Sequence, residues 1–420
     1  MINGLAGSSS GRSAEWTPVL ARYGGLTGVS YTDIELTDTS NCDMISTAVT
    51  GEIPLLMAKT LARLPFETRK DAVVVLSHIL RYRPPNTDPQ AEPWALHHIL
   101  YQAPESIIAL VHGYKETRID DIDGGHFRPG EAVTPSCGLV LREVIRQEAA
   151  CSAILHDEPD ADWIYGPAQR RGVQHINRKQ VQSGKGVFWT FFEWIDGTGA
   201  SFELSTDAFA TFKVSLPLLA VRYSLRARYA DRDLLPLSPH QELLTRHKDL
   251  VARYLQVNYS LFFTKYNTLL TSPNYVTKRQ AIKLLGEILL DRDNYRVMTR
   301  YVEDADNLKR TMLLLREPRR MVAYEGFHVF KIFAASPTKS PAVLAILVKN
   351  RARLLDFLPS FLDDRTDDDQ FTDEKAYLLR IIKALPESLP GSGAEGLVSP
   401  TSPMAAGQWQ NGIGSANLAS

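Results

Sequence analysis

From Ile53 onward the apolar residues of this chain recur at three- and four-residue intervals. That spacing puts side chains on one face of an α-helix. The run Leu55-Leu56-Met57-Ala58 through Leu61 and Leu64 shows it first, and DAVVVLSHILRY at 71–82 repeats it. Prolines at 84, 85, 89 and 93 then predict a stiff loop, because proline breaks helices and favours extended backbone. Further helices are expected over 94–101, 106–113, 138–156, 188–195 and 206–213. Beyond residue 240 the pattern is nearly continuous amphipathic helix to Ala384, interrupted by Pro, Asn and Asp. Residues 1 to about 50 are rich in Gly, Ser and Thr and predict no strong helix. The Gly/Ser/Pro-rich stretch 386–420 reads as a disordered tail. No alternation of strands and helices occurs, so the fold class is all-α.

Internal similarity separates a bundle from a solenoid. The segments DAFATFK (207–213), QAIKLLG (280–286) and EGFHVFK (325–331) share a polar residue, a small one, and apolar residues at the third and sixth positions. The small residue allows close helix approach, and the two apolar ones share a face. Ala281 and Gly326 lie 45 residues apart, within the roughly 40–47-residue period of HEAT and armadillo repeats. Ala208 and Ala281 lie 73 apart, an excess of 28 that coincides with a break in the pattern at 214–241. Excising that block joins Lys213 to Glu242 in helical phase. The block reads as an insertion, either a surface loop, which solenoids tolerate, or a translated intron beginning Val-Ser and ending in Gln.

Charge and chemistry narrow the function. Lys and Arg number 47 against 48 Asp and Glu, a formal net charge of −1. A nucleic-acid binder usually carries a clear cationic excess. No apolar run approaches the ~20 residues of a spanning helix, and three scattered cysteines form no disulfide framework or zinc site. An intracellular, cytoplasmic protein is expected. SGKG at 183–186 lacks the upstream glycine of a phosphate loop, and H-E-x-x-H, G-x-S-x-G and C-x-x-C are missing. His97 and His98 are adjacent and so point to different helix faces. The acidic run DDRTDDDQFTDE at 363–374 has a Glu at position twelve but no glycine at position six, as a calcium loop requires. DDIDG at 120–124 fails similarly. No catalytic residue, metal ligand or cofactor is assigned.

What remains is surface. In YVTKRQAIKLLGEILL (275–290), about 100° per residue gathers Ala281, Leu284, Leu285, Ile288 and Leu289 on one arc. Tyr275, Arg279 and Lys283 recur every fourth residue beside it. Tyr and Arg are enriched at binding hot spots, and solenoids expose such stripes on a concave surface. A solvated helix face is the plain alternative.

NYVTKRQAIKLLGEILLDRDNY, EGFHVFKIF, LTRHK at 244–248 and FLDDRTDDDQFTDEK resemble the calcium-binding protein 39 family, the Mo-type scaffold proteins. FWTFFEWID and the proline loop after RYRPP are similar to its fungal, Hym-like branch. The resemblance covers about 53–386. It implies a right-handed, horseshoe-shaped solenoid of armadillo/HEAT-like repeats, without enzymatic activity, that binds and activates germinal-centre (sterile-twenty-like) kinases or pseudokinases. In fungi it implies the NDR-kinase pathway of polarised growth and cell separation, with enrichment at those sites. Calcium binding is not supported by the residues. The resemblance assigns the kinase-gripping concave surface to Phe202, Tyr275, Arg279 and Lys283. It assigns Met312 and Lys349 to a second pocket for a partner's hydrophobic C-terminal tail ending in Trp-Glu-Phe. Met adapts to aromatic side chains, and Lys pairs with a carboxylate. By burial statistics alone, Met312 would be a core methionine.

The implied organisation is a poorly patterned segment 1–52, unlike the family's first helices, and a repeat domain 53–385 with insertions at 116–133, 157–185 and 214–241. The 386–420 tail carries Ser399-Pro400 and Ser402-Pro403, a pattern of proline-directed phosphorylation. The protein is expected to act as a monomer within a hetero-complex. An adaptor for non-kinase cargo is the other function class, and a pull-down devoid of germinal-centre kinases would favour it.

Overall fold

A computed structural model describes residues 39–61, 64, 66–84, 92–114, 134–159, 172–196, 202–215, 247–365 and 368–387. Its regular elements among the described residues are helices. The chain divides into two compact units, Met1–Ile288 and Leu289–Ser420.

In the first unit the helices are α1 (Thr39–Thr50), α2 (Ile53–Thr60), α3 (Phe66–Arg81), α4 (Trp94–Gln102), α5 (Glu105–His112) and α6 (Thr134–Val144). They continue as α7 (Glu148–Leu155), α8 (Val187–Asp196), α9 (Phe202–Ser215), α10 (Lys248–Val257), α11 (Tyr259–Leu269) and α12 (Tyr275–Leu290), whose last two residues fall in the second unit. Every third helix packs on the next of its kind: α1 on α4, α4 on α7 and α7 on α10; likewise α2 on α5, α5 on α8 and α8 on α11. The third row runs α3, α6, α9, then α12. This is a stack of three-helix repeats, each burying its apolar faces against its neighbours.

Contacts along the third row show its helices running parallel. Arg81, ending α3, pairs with Glu143 near the end of α6 at 2.9 Å. Arg142 on α6 reaches Asp207 (2.9 Å) and Thr211 (3.0 Å) on α9. Ser205 and Thr277, near the starts of α9 and α12, stand 3.4 Å apart, and Lys213 and Glu287, near their ends, 3.8 Å. Gly138 makes the α6–α9 approach possible, since an added Cβ would overlap the Asp207 carboxylate and the Tyr114 hydroxyl. Behind this row the core is aromatic. Phe212 stacks on Phe188 at 5.7 Å between centroids and meets Phe192 edge-on at 5.1 Å.

The second unit holds α13 (Tyr295–Glu303), α14 (Ala305–Leu315), α15 (Arg320–Ala335), α16 (Pro341–Lys349), α17 (Arg351–Ser360) and α18 (Asp369–Lys383). Here α13 packs on α16 and α15 on α18, the same three-helix stagger. Gly326 has the role its sequence position predicts: an added Cβ would come within 2.9 Å of the Leu314 Cβ.

The all-α repeat reading therefore holds. The small residues Ala208, Ala281 and Gly326 are buried, as are Phe209, Phe212, Ile282, Leu285, Phe327 and Phe330 at the third and sixth positions. Two corrections follow. A helix, α1, forms where none was expected before residue 50, held by buried Ile45 and Val49 one turn apart. The helix expected over 138–156 is two, because Gln147 adopts extended backbone (φ −87°, ψ 130°) between α6 and α7. The expected insertion 116–133 and DDIDG at 120–124 lie outside the described residues, as do most of 214–241, the 242–246 join to Lys213, and 388–420. Of 157–185, the described part includes buried Asp157 and Glu158. The Asp157 carboxylate accepts from the Val187 N–H that opens α8, and Glu158 accepts from the Ser183 N–H at 2.9 Å. SGKG thus joins a folded turn.

Candidate functional site

Phe202 opens α9 and Tyr275 opens α12. The two positions are 73 residues apart, the same offset that relates Ala208 to Ala281, so they are equivalent in successive repeats. Asn274 fixes where α12 begins, its Oδ1 accepting from the N–H groups of Val276 (2.9 Å) and Thr277 (3.4 Å). The start of α9 is tied back by Ser205, whose hydroxyl donates to the Ile195 carbonyl at 2.7 Å.

Helical geometry then sorts the side chains. On α9, Asp207 and Thr211 face α6, Ser205 and Lys213 face α12, and Ala208, Phe209 and Phe212 enter the core. The remaining face carries Phe202, Glu203, Thr206 and Ala210, all exposed, with Phe202 at 61%. On α12, Thr277 and Glu287 face α9 while Ala281, Leu284, Leu285 and Ile288 are buried. Tyr275, Arg279 and Lys283 are left half-exposed along one stripe. All four residues assigned to the kinase-gripping surface therefore stand on two adjacent parallel helices, on the side turned from the core. An aromatic on one helix lies beside an aromatic and two cations on the next.

One residue of this face was not among those read from the sequence. Leu139 on α6 is 56% exposed. Its helix buries Cys137, Val140, Leu141 and Val144, so Leu139 is an apolar residue off the core stripe. That misplacement in CGLVLREV is the signal that could have found it.

In the second unit, α14 packs on α16. Asp304 caps α14 through the Asp306 N–H at 2.7 Å, and Ser340 caps α16 while its hydroxyl donates to the Glu303 carbonyl at 2.7 Å. Met312 is half-buried rather than a core residue, unlike Met298, and its neighbour Leu313 is 68% exposed. Val343 and Leu347 of α16 are buried, Leu344 and Val348 are only half-buried, and Lys349 is exposed at the helix end. Met312 and Lys349 thus sit on two packed helices that leave apolar surface uncovered.

The acidic run is engaged in the fold. Asp364 pairs with Arg320, and Asp368 caps α18 through the Phe371 N–H at 3.0 Å while accepting from the Tyr324 hydroxyl at 3.2 Å. Glu374 meets Lys331 at 2.6 Å and His328 at 3.4 Å. Burial alone would raise the Glu374 carboxyl, but the His328 and Lys331 partners outweigh it and hold the pKa at about 2. No group of three or more metal-binding side chains gathers among the described residues. Cys137 and Cys151 are buried thiols, not disulfide-linked, and burial pushes Cys151 up to about 12. His97 stacks on Tyr101 while His98 lies against Trp94, so the adjacent histidines diverge as expected. No helix among the described residues is long and apolar enough to cross a membrane.

Comparison with known proteins converges on one family. The Mo25-like family profile matches residues 28–229 and 237–386, breaking inside the 214–241 block and beginning well before Ile53. The 28–52 segment is thus part of the matched region, which corrects the expectation that nothing before residue 53 resembles the family. The chain is 46% identical over 332 residues to the conidiophore development protein hymA of Emericella nidulans, spanning 79% of this chain and 73% of that protein. It is 35% identical to the human calcium-binding protein 39-like protein (79% and 75%). It is 33% identical to the Mo25-like protein of Schizosaccharomyces pombe (80% and 78%). With its stacked three-helix repeats, the chain belongs to the Mo25-like family of helical-repeat scaffold proteins.

Proposed function

We propose that this chain is a non-catalytic scaffold that binds and activates a germinal-centre (sterile-twenty-like) kinase or pseudokinase. The observation that carries the reading is the stripe Tyr275–Arg279–Lys283 beside Phe202, which leaves two aromatics and two cations at the surface of a rigid helical layer. Such side chains, fixed by packing behind them, make binding anchors that lose little entropy on complex formation. Activation follows by differential binding: the face makes more contacts with the active arrangement of the kinase and shifts its population. The half-exposed Met312 and the exposed Lys349 receive the partner's hydrophobic C-terminal tail, thioether to aromatic and ammonium to carboxylate. The chain serves the fungal NDR-kinase pathway of polarised growth and cell separation, and its similarity to an Emericella nidulans protein named for conidiophore development supports a role in fungal morphogenesis. The chain then acts in the cytoplasm as a monomer within a hetero-complex, enriched at sites of growth or septation.

Adding the purified chain to a germinal-centre kinase catalytic domain should raise phosphotransfer to a peptide substrate, while the chain alone turns over no ATP. An unaltered rate together with no detectable complex would refute the reading.

A further inference from the structure

We infer that the partner-gripping face extends one helix further than the assigned residues, onto α6, where Leu139 anchors an apolar side chain of the kinase catalytic domain. This rests on the scaffold reading above. Leu139 and Phe202 are large apolar side chains exposed at 56% and 61% on adjacent helices of one row. Their faces coincide. Gly138 and Arg142 of α6 point at Asp207 and Thr211 of α9, Glu143 points back at Arg81 of α3, and Cys137, Leu141 and Val144 fill the core. At 100° per residue, Leu139 lies between the two lateral sides and opposite the core. On α9 that place belongs to Glu203, Thr206 and Ala210, all exposed.

An exposed strip therefore leads from Leu139 across Glu203, Ala210 and Thr206 to Phe202, and the cations Arg279 and Lys283 border it on α12. A single exposed leucine is ordinary on a protein surface. One that shares an exposed face with an aromatic, beside a stripe of cations, marks an interaction face. The occupant it fits is a folded protein surface with an apolar residue over α6 and carboxylates over α12, which matches cations in complementary charge.

The test titrates a purified germinal-centre kinase catalytic domain against the full chain and against Leu139→Ala, Leu139→Asp and Arg279→Glu. Circular dichroism and melting temperature are recorded for each variant. Leu139→Ala should weaken binding about fivefold and Leu139→Asp at least twentyfold, with helicity unchanged. Should Leu139→Asp lower the melting temperature, a photo-cross-linking residue at position 139 decides: a covalent adduct with the kinase domain supports the inference, and none overturns it. Wild-type affinity in Leu139→Asp, with binding lost in Arg279→Glu, confines the face to α9 and α12 and overturns the inference alone. Wild-type affinity in Arg279→Glu as well overturns the scaffold site itself.

Discussion

The same repeat position is used in two ways in the two units. Counting 45 residues on from Tyr275, Arg279 and Lys283 of α12 reaches Arg320, Tyr324 and His328 of α15. On α12 the three residues are half-exposed, and on α15 Arg320 is exposed while Tyr324 and His328 are half-exposed. On α15 each is engaged by the chain's own α17–α18 junction. Arg320 pairs with Asp364, and the Arg365 guanidinium lies 4.0 Å over the Tyr324 ring while the Tyr324 hydroxyl donates to Asp368. His328 faces Glu374. Burial and the neighbouring Asp368 carboxylate push the Tyr324 phenol up to about 12, as expected for a hydroxyl held against a charge. On α15 a segment of the same chain covers this face. The acidic run, suggestive of a metal loop in isolation, is that cover.

Substitutions can separate the α12 stripe from its α15 counterpart. The largest stability effect is expected where parallel helices touch. Gly138→Ala should cost about 3 kcal/mol, because the methyl displaces the partly buried Tyr114–Asp207–Arg142 cluster; denaturant melts would show it. Next, Tyr324→Ala should lower stability by about 2 kcal/mol through the lost Arg365, Asp368 and Phe371 contacts. Its affinity for the kinase domain should stay at wild type; a binding defect without a stability defect would put α15 in the partner-binding face.

Glu374 supplies a pH signature of the closed unit. Its carboxyl falls from an ordinary value of 4.5 to about 2 on folding, so its stabilisation is complete above pH 4.5 and is lost as pH falls towards 2. Glu374→Gln should flatten that part of the stability profile, and an unchanged slope would mean the Lys331 and His328 contacts contribute nothing. The smallest effect is Met312→Ala, which should weaken a Trp-Glu-Phe-ending peptide by about fivefold and shift stability by about 1 kcal/mol or less, given its half-buried side chain.

The repeat register was legible because it rests on local rules. A small residue followed by apolar ones three apart reports close helix packing, and Ala208, Ala281 and Gly326 obey it. The stripe on α12 was legible for the same reason. Missed features depend on weak or distant signals. Among the described side chains of helix α1, Ile45 and Val49 are the buried ones, amid Ser, Thr and Asn, too sparse a pattern to register. The break between α6 and α7 falls at Arg146-Gln147, with no proline or glycine to announce it. The engagement of α15 joins residues about 40 positions apart, which no helical period encodes. Leu139 breaks the periodicity rather than fitting it.

The most direct measurement compares the affinity of one germinal-centre kinase catalytic domain for the wild-type chain, Arg279→Glu and Tyr324→Ala under matched conditions. Reversing charge at Arg279 should weaken binding at least a hundredfold with helicity retained, while Tyr324→Ala binds as wild type. Equal affinity in wild type and Arg279→Glu would contradict the account.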